Sequence, residues 1–199
     1  MTVLGLTGGV GMGKSTTADF LTDSGIPIID TDLLAREVVA PGQPALAEIQ
    51  ASFGTEMVDS SGRLDRRALA TRVFGDGEQR KRLEAIVHPR IRELWTRRLA
   101  ELSQQQTPVA AVVIPLLFET HAEDAFDFIL CASCSAASQR RRLAARGWSQ
   151  AEIGQRIAAQ APSDRKMELS HFVIWTEGPL AVHRTQLDRI LPRIGFQRE

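Results

Sequence analysis

The chain has no unbroken run of about 18 apolar residues, the length a helix needs to cross a bilayer, so no transmembrane helix is expected. It also has no net charge, since 24 Lys+Arg balance 24 Asp+Glu. That balance removes any global argument for binding nucleic acid or an anionic membrane, and any anion site must be local. The N-terminus lacks a signal-peptide pattern, which makes the cytoplasm the expected location. Cysteine is scarce: Cys131 and Cys134 form a lone C-x-x-C. A zinc site would need two more ligands, and none lies nearby in sequence. The pair reads either as a redox or metal motif or, more plainly, as two small residues ending a buried strand. Lysine is rarer than arginine, with three (Lys14, Lys81, Lys166) against 21 arginines. There are no internal repeats and no low-complexity tract. At 199 residues, the chain allows one domain, or one core with a sizeable insertion.

Against that background one feature stands out. Residues 8–15 read Gly8-Gly9-Val10-Gly11-Met12-Gly13-Lys14-Ser15, a complete G-x-x-x-x-G-K-[ST] phosphate-binding loop. It follows an apolar run (Val3, Leu4, Leu6) and precedes a helical pattern (Thr16 to Leu21), the strand–loop–helix context the motif requires. Successive backbone N–H groups in such a loop make a concave anion site, and the following helix adds its positive end. Gly9, Gly11, Met12, Gly13, Lys14, Ser15 and Thr16 are therefore candidate nucleotide contacts. Lys14 would reach the β- and γ-phosphates and Ser15 would ligate Mg²⁺. One of the three lysines stands where a compact ammonium on a flexible stem is needed, a role Arg does not fill.

Five nearly continuous apolar runs read as strands: 2–6, 26–29, 109–114, 126–131 and 172–175. Helical patterns separate them. Continuous rather than alternating runs are the mark of parallel strands covered on both faces, and the alternation with helices gives an α/β fold. Only about 20 residues separate the first two runs, but about 80 separate the second and third, more than a βαβ crossover needs. Residues 33–105 therefore read as a helical insertion, with helices over 33–39, 44–53, 65–74 and 76–104. Pro89 is expected to interrupt the last of these and restart it, with His88 at the cap. Beyond it Ile91, Leu94, Trp95, Leu99 and Leu102 share one face. A helix over 136–146 carries Arg140, Arg141, Arg142 and Arg146. Ser149-Gln150-Ala151-Glu152 is a capping box opening a helix to about Ala161. A final helix over 179–191 offers Leu180, Val182, Leu187 and Leu191 as core contacts.

In an open parallel sheet, ligands bind beyond the carboxyl ends of the strands. Asp30 and Asp32 stand at the end of the second strand. Asp32 could accept a proton from an attacking hydroxyl or orient Mg²⁺; equally, Asp30 could make an Asx turn and Asp32 cap the next helix. The third strand runs through Ile114 into Pro115, and the next acid is Glu119. The Asp that many phosphate-loop proteins carry there is absent, which counts against a motor-type ATPase. The arginine run could be a solvated face, a nucleic-acid patch, or part of a lid that stabilises charge in phosphoryl transfer. Asp59-Ser60-Ser61-Gly62 matches the D-x-x-G of GTPases but lies between helices, with no N-K-x-D anywhere, and reads as a turn.

The set Thr7–Ser15, Asp30-Thr31-Asp32, Ala35-Arg36, His88-Pro89, Pro115-Leu116-Leu117-Phe118-Glu119 and a lid helix ending in Gln160 resembles the dephospho-CoA kinases over essentially the whole chain. The phosphate loop alone is generic; the other elements in this order make the resemblance specific. It implies a P-loop, nucleoside-kinase-like three-layer α/β fold with a five-stranded parallel sheet. The nucleotide core would be 1–32, 106–135 and 170–199, the acceptor (CoA) domain 33–105 and the lid 136–169. It implies transfer of the γ-phosphate of ATP to the 3′-hydroxyl of dephospho-CoA, with Mg²⁺. Asp32 would be the base, also touching substrate, and Lys14 and Arg142 would be catalytic. Arg146 would touch the nucleotide, and Arg36, His88, Leu117 and Glu119 would line the acceptor site. The expected partners are these small molecules alone, with no nucleic acid and no membrane, in a monomer or weak homo-oligomer. Two positions depart from the family: Met12, where a small residue is usual, and Thr176, where an asparagine is. Another small-molecule or nucleoside monophosphate kinase of the same architecture, or a nucleotide-dependent switch, are the alternatives.

Overall fold

The structure is a computed structural model that describes residues 1–73 and 75–197. It divides into two compact units, Met1–Ile29 with Glu101–Glu199, and Asp30–Ala100.

The first unit is built on the sheet. Its strands are β1 (Thr2–Thr7), β2 (Ile28–Asp30, whose last residue opens the second unit), β3 (Val109–Val113), β4 (Phe128–Ser133) and β5 (Phe172–Trp175). They lie in the order β2-β3-β1-β4-β5, with β1 parallel to both β3 and β4, and β4 parallel to β5. The sequence placed β4 two residues early. Phe126 instead closes a 3₁₀ turn by donating to Glu123 O at 3.2 Å, and the Asp127 carboxylate takes the Val3 N–H at 2.7 Å, so the regular ladder begins after them. β2 likewise starts late, because the Ile26 N–H turns back to Leu21 O at 3.0 Å and closes the preceding helix.

The unit's helices are α1 (Lys14–Asp23) and, beyond the second unit's α2–α5 described below, α6 (Ala136–Ala144), α7 (Gln150–Ala158), α8 (Ser163–Glu168) and α9 (Leu180–Ile190). Leu4 and Leu6 of β1 share a buried cluster with Leu21 of α1, Ile174 of β5 and Leu187 and Ile190 of α9. On the opposite face, a Cβ on Gly5 would lie 2.9 Å from the side chain of Leu117 and 3.0 Å from that of Phe126. β1 is thus covered on both sides, which is why its sequence is apolar without alternation. The outer strand β5 is also closed off. The Gln186 amide accepts from Trp175 N at 2.9 Å and donates to Trp175 O at 2.8 Å, occupying backbone groups that would otherwise recruit another strand.

Two expectations for this unit fail. Leu180 and Val182 are not core residues, being 64% and 51% exposed. The stripe that α9 buries is His183, Leu187 and Ile190, and at about 100° per residue Val182 points well away from it. The helix expected to reach Ala161 stops at Ala158, because the Ala161 N–H donates to the Glu119 carboxylate at 2.8 Å instead of to a helical carbonyl. The capping box at Ser149 and Glu152 is present.

The second unit is helical: α2 (Thr31–Glu37), α3 (Pro44–Phe53), α4 (Arg66–Val73) and most of α5 (Gly77–Gln104). The expected helix over 65–74 ends on Phe74, which lies outside the described residues. Val38, Ile49, Phe53, Met57, Leu69 and Ile86 form the unit's own core, with Ile91 and Leu94 packed on it. Trp95 and Leu99 are buried, as their shared face predicted.

Pro89 does not restart α5; the helix runs through it. A mid-helix proline lacks the N–H for its own bond and crowds the carbonyl one turn back. Here the Arg90 guanidinium reaches back to Ile86 O at 2.5 Å, adding a charged donor within the disturbed turn. Asp59 accepts from the backbone of Ser61 at 2.8 Å and of Arg63 at 3.0 Å, so the D-x-x-G match is an Asx turn.

Candidate active site

The loop between β1 and α1 is where the sequence placed the phosphates. Gly13 caps α1 in the left-handed region (φ 97°), and no side chain caps the helix. A residue with a Cβ would be strained there and would also meet Thr176 at 2.9 Å. The first-turn N–H groups of α1 are thereby left to an anion, which the helix dipole also favours. Lys14 folds back over the loop, its Nζ donating to Gly8 O at 2.6 Å and Gly9 O at 3.0 Å. The ammonium is held at the mouth of the loop. Ser15 is exposed at the start of α1, and Thr16 is half-buried beside it. Thr17 faces inward, donating to Gly13 O at 3.1 Å and meeting His183 Nε2 at 3.0 Å. Burial, with Arg142 secondary, holds the His183 pKa below its ordinary value.

Arg142 reaches this loop from α6. Its guanidinium bonds Thr176 Oγ1 at 2.8 Å and Thr176 O at 2.5 Å, and lies 3.5 Å from Gly11 O. Thr176 is itself 5% exposed and donates to Met12 O at 2.9 Å. Thr176 is thus a buried clasp between β5, α6 and the phosphate loop, with its hydroxyl already engaged on both sides. The Met12 side chain is buried against Ser133, 3.8 Å from Oγ to Sδ. Arg146 lies exposed beyond α6.

Glu177 caps the same corner. It accepts from Ser135 N at 3.1 Å and from the Ser135 hydroxyl. The Ser135 hydroxyl, then that of Ser138, hold its carboxyl down to about 2 from 4.5. Because the folded value is depressed, this contribution to stability is complete above pH 4.5 and is lost as pH falls towards 2. Ser135→Ala is therefore expected to move the acid-unfolding midpoint, followed by circular dichroism, to higher pH and to leave neutral-pH activity unchanged. An unmoved midpoint would show the contact to be idle.

At the end of β3 the expected residues separate in role. Leu117 was placed at the acceptor side, but its side chain is fully buried beneath Gly5; it packs the sheet and only its backbone can face a ligand. Glu119 pairs with Lys166 at 2.8 Å. The lysine is fully buried and also donates to Pro115 O at 2.6 Å. Cys131 and Cys134 are free and buried. Burial pushes the Cys131 thiol up to about 11 and raises Cys134 as well, so both stay protonated at neutral pH. Among the described residues no group of acidic, His or Cys side chains could hold a metal ion.

In the helical unit, Asp30 is the N-cap of α2, its carboxylate accepting from Asp32 N at 2.8 Å. Asp32 is therefore not the cap. It is exposed in the first turn, one helical turn before exposed Arg36 on the same face. His88 is half-buried on α5.

A family model described as dephospho-CoA kinase matches residues 2–181. The chain belongs to the dephospho-CoA kinase family. The dephospho-CoA kinase of Corynebacterium efficiens is 40% identical over 192 residues, 96% of each chain. That of Moorella thermoacetica is 45% identical over 190 residues, 94% of this chain and 89% of the relative. A solved protein of Thermus thermophilus superimposes with a TM-score of 0.83 at 37% identity, covering 96% of this chain and 97% of that one. The kinase takes ATP as its phosphoryl donor, and its five-stranded parallel α/β fold is the one the sequence predicted. No described helix is long and apolar enough to cross a membrane. Sequence reasoning missed Gln139, Lys166 and His183. No local signal marks them, because each acts on a residue distant in the chain.

Proposed function

We propose that this kinase transfers the γ-phosphoryl group of ATP to the ribose 3′-hydroxyl of dephospho-CoA, giving coenzyme A and ADP, the last step of coenzyme A synthesis. The observation that carries the donor half of the reading is Lys14 lying on the carbonyls of Gly8 and Gly9 at the uncapped start of α1; the acceptor follows from the family match over residues 2–181. The backbone of Gly9 to Gly13, with Lys14, Ser15 and Thr16, holds the triphosphate. The exposed Ser15 hydroxyl beside Lys14 suits a hard cation and would hold Mg²⁺. Such an ion would supply charge neutralisation for the phosphates of ATP. Asp32 takes the proton of the 3′-hydroxyl as its oxygen forms the bond to the γ-phosphorus. The bond to the bridging oxygen breaks, and Lys14 and Arg142 stabilise the charge that leaves with ADP. Arg146 contacts the nucleotide. Arg36, His88 and the backbone at Leu117 hold the acceptor, and Glu119, paired with Lys166, fixes the turn that carries Leu117. Residues 33–105 serve as its domain and 136–169 as a lid over the core. A reaction that draws on ATP suits the cytoplasm, and the chain is read as a monomer or weak homo-oligomer.

The test is ADP release from ATP and Mg²⁺ with dephospho-CoA, and with adenylate, cytidylate and guanylate in parallel. Release specific to dephospho-CoA supports the reading; release with a monophosphate alone reassigns the acceptor. In the same assay Asp32→Asn is expected to keep ATP binding and lose about 10²-fold in kcat. An unchanged kcat would remove Asp32 as the base.

A further inference from the structure

The phosphate loop is rich in glycine, so its peptide planes are cheap to rotate, yet its function depends on which way each N–H points. Two glutamines from distant parts of the chain settle this at one residue. Gln139 of α6, 5% exposed, donates its amide to Val10 O at 2.8 Å. Gln160, just beyond α7, accepts from Val10 N at 2.9 Å. A carbonyl needs a donor and an N–H needs an acceptor, so each side-chain amide has only one workable orientation.

The peptide group is planar and trans, so its C=O and N–H point in opposite directions. Holding Val10 O towards Gln139 turns the Gly11 N–H the other way. Holding Val10 N towards Gln160 turns the Gly9 carbonyl away, to where Met12 N (3.2 Å) and Lys14 Nζ (3.0 Å) donate to it. Gly9 permits this arrangement sterically: a Cβ there would lie 3.2 Å from Gln139 Nε2 and 2.9 Å from Met12 Sδ. Gln160 is in turn anchored through its neighbour Ala161, whose N–H is held by Glu119.

We propose that Gln139 and Gln160 are positioning residues for phosphoryl transfer, clamping both sides of Val10 so that the Gly11 N–H and the Gly9 carbonyl that holds Lys14 are fixed before ATP arrives. This rests on the reading of the loop as the ATP site. Pre-setting these planes removes an ordering cost from nucleotide binding, so the loss falls on ATP rather than on the acceptor.

The experiment uses the full chain with Gln139→Met, Gln160→Met and the double variant, plus Gln139→Glu and Gln160→Glu. Each is assayed for KM of ATP, KM of dephospho-CoA, kcat and Tm. Either Met variant is expected to raise the KM of ATP about tenfold, one hydrogen bond's worth, with the KM of dephospho-CoA unchanged and Tm lowered by no more than about 2–4 °C. The double variant should fall short of the product of the singles, because both act on one residue. The two Glu variants add the same charge to the same neighbourhood. Glu at 160 still accepts from Val10 N, whereas Glu at 139 sets a carboxylate against a carbonyl, so Gln139→Glu should be the worse. An unchanged KM of ATP, equal losses for both substrates tracking a fall in Tm, or equal effects of the two Glu variants each overturn the proposal. If the unsubstituted chain releases no ADP with dephospho-CoA, the functional reading fails instead, and nucleotide affinity of the same variants still decides whether the clamp acts on the loop.

Discussion

Lys14→Ala is expected to lower kcat/KM for phosphoryl transfer by about 10³-fold, the scale of losing one pre-aimed charge stabiliser from an active site. Gly8 O and Gly9 O hold the lysine by its ammonium, so little of its side-chain freedom is left to lose on binding ATP. Alanine removes the charge and deprives two loop carbonyls of a donor. That second effect costs about 1 kcal/mol, or roughly 2–4 °C in Tm for a chain of this size. Activity should therefore collapse while the fold remains. Lys14→Arg is not expected to rescue, since a planar guanidinium does not fit a site shaped for a compact ammonium. The measurement is ADP release alongside a thermal melt. Near-normal turnover in the alanine variant would sink the phosphate-loop assignment, and a loss of turnover matched by unfolding would leave it without support.

Glu119→Gln is expected to destabilise the protein by about 3 kcal/mol, the lower end for breaking a buried ion pair from one side, seen as a fall of roughly 6–12 °C in Tm. Lys166 is fully buried, and the carboxylate 2.8 Å away is the charge that balances it. The same Oε1 accepts from Ala161 N at 2.8 Å, so the pair ties the turn after β3 to the segment carrying Gln160. Glu119 Oε2 is buried without a hydrogen-bond partner, so the pairing falls short of ideal and its net worth against an apolar pair is small. Hence the double variant Glu119→Gln with Lys166→Met should recover much of the loss, because no buried charge is left uncompensated. If the two substitutions simply add, the pair is not an electrostatic unit and the burial of Lys166 needs another cause.

The glutamine clamp and the ion pair bear on how much of this protein its sequence discloses. Gly8 to Ser15 is contiguous, and each residue's role follows from local backbone geometry, so the loop reads directly from the sequence. The same holds for the capping box at Ser149 and the Asx turn at Asp59, where the interacting groups lie within a few residues, and the continuous apolar runs of β1 and β5 mark strands although their partners are distant. Pro89 misled because a proline's local preference was overridden by the packing of α5 and the reach of Arg90 to Ile86 O. Leu180 and Val182 misled because apolar residues near a helix start carry no sign of which face meets the core. Leu117 sits inside a motif that suggests ligand contact, yet the bare surface of Gly5 drew it into the sheet.

The sequence by itself determined the phosphate loop, the α/β alternation and the helical insertion, and its motifs carried the resemblance to the family. The first three depend on periodicity and on short fixed spacings, which backbone geometry dictates. Tertiary structure alone decided that Gln139 and Gln160 meet at Val10 across 129 and 150 residues, that Thr176 clasps Arg142 to the loop, and that Glu119 balances a buried lysine. A polar side chain looks the same in sequence whether it faces water or a distant backbone group. Only the closed fold, which removes the water, gives it a single partner.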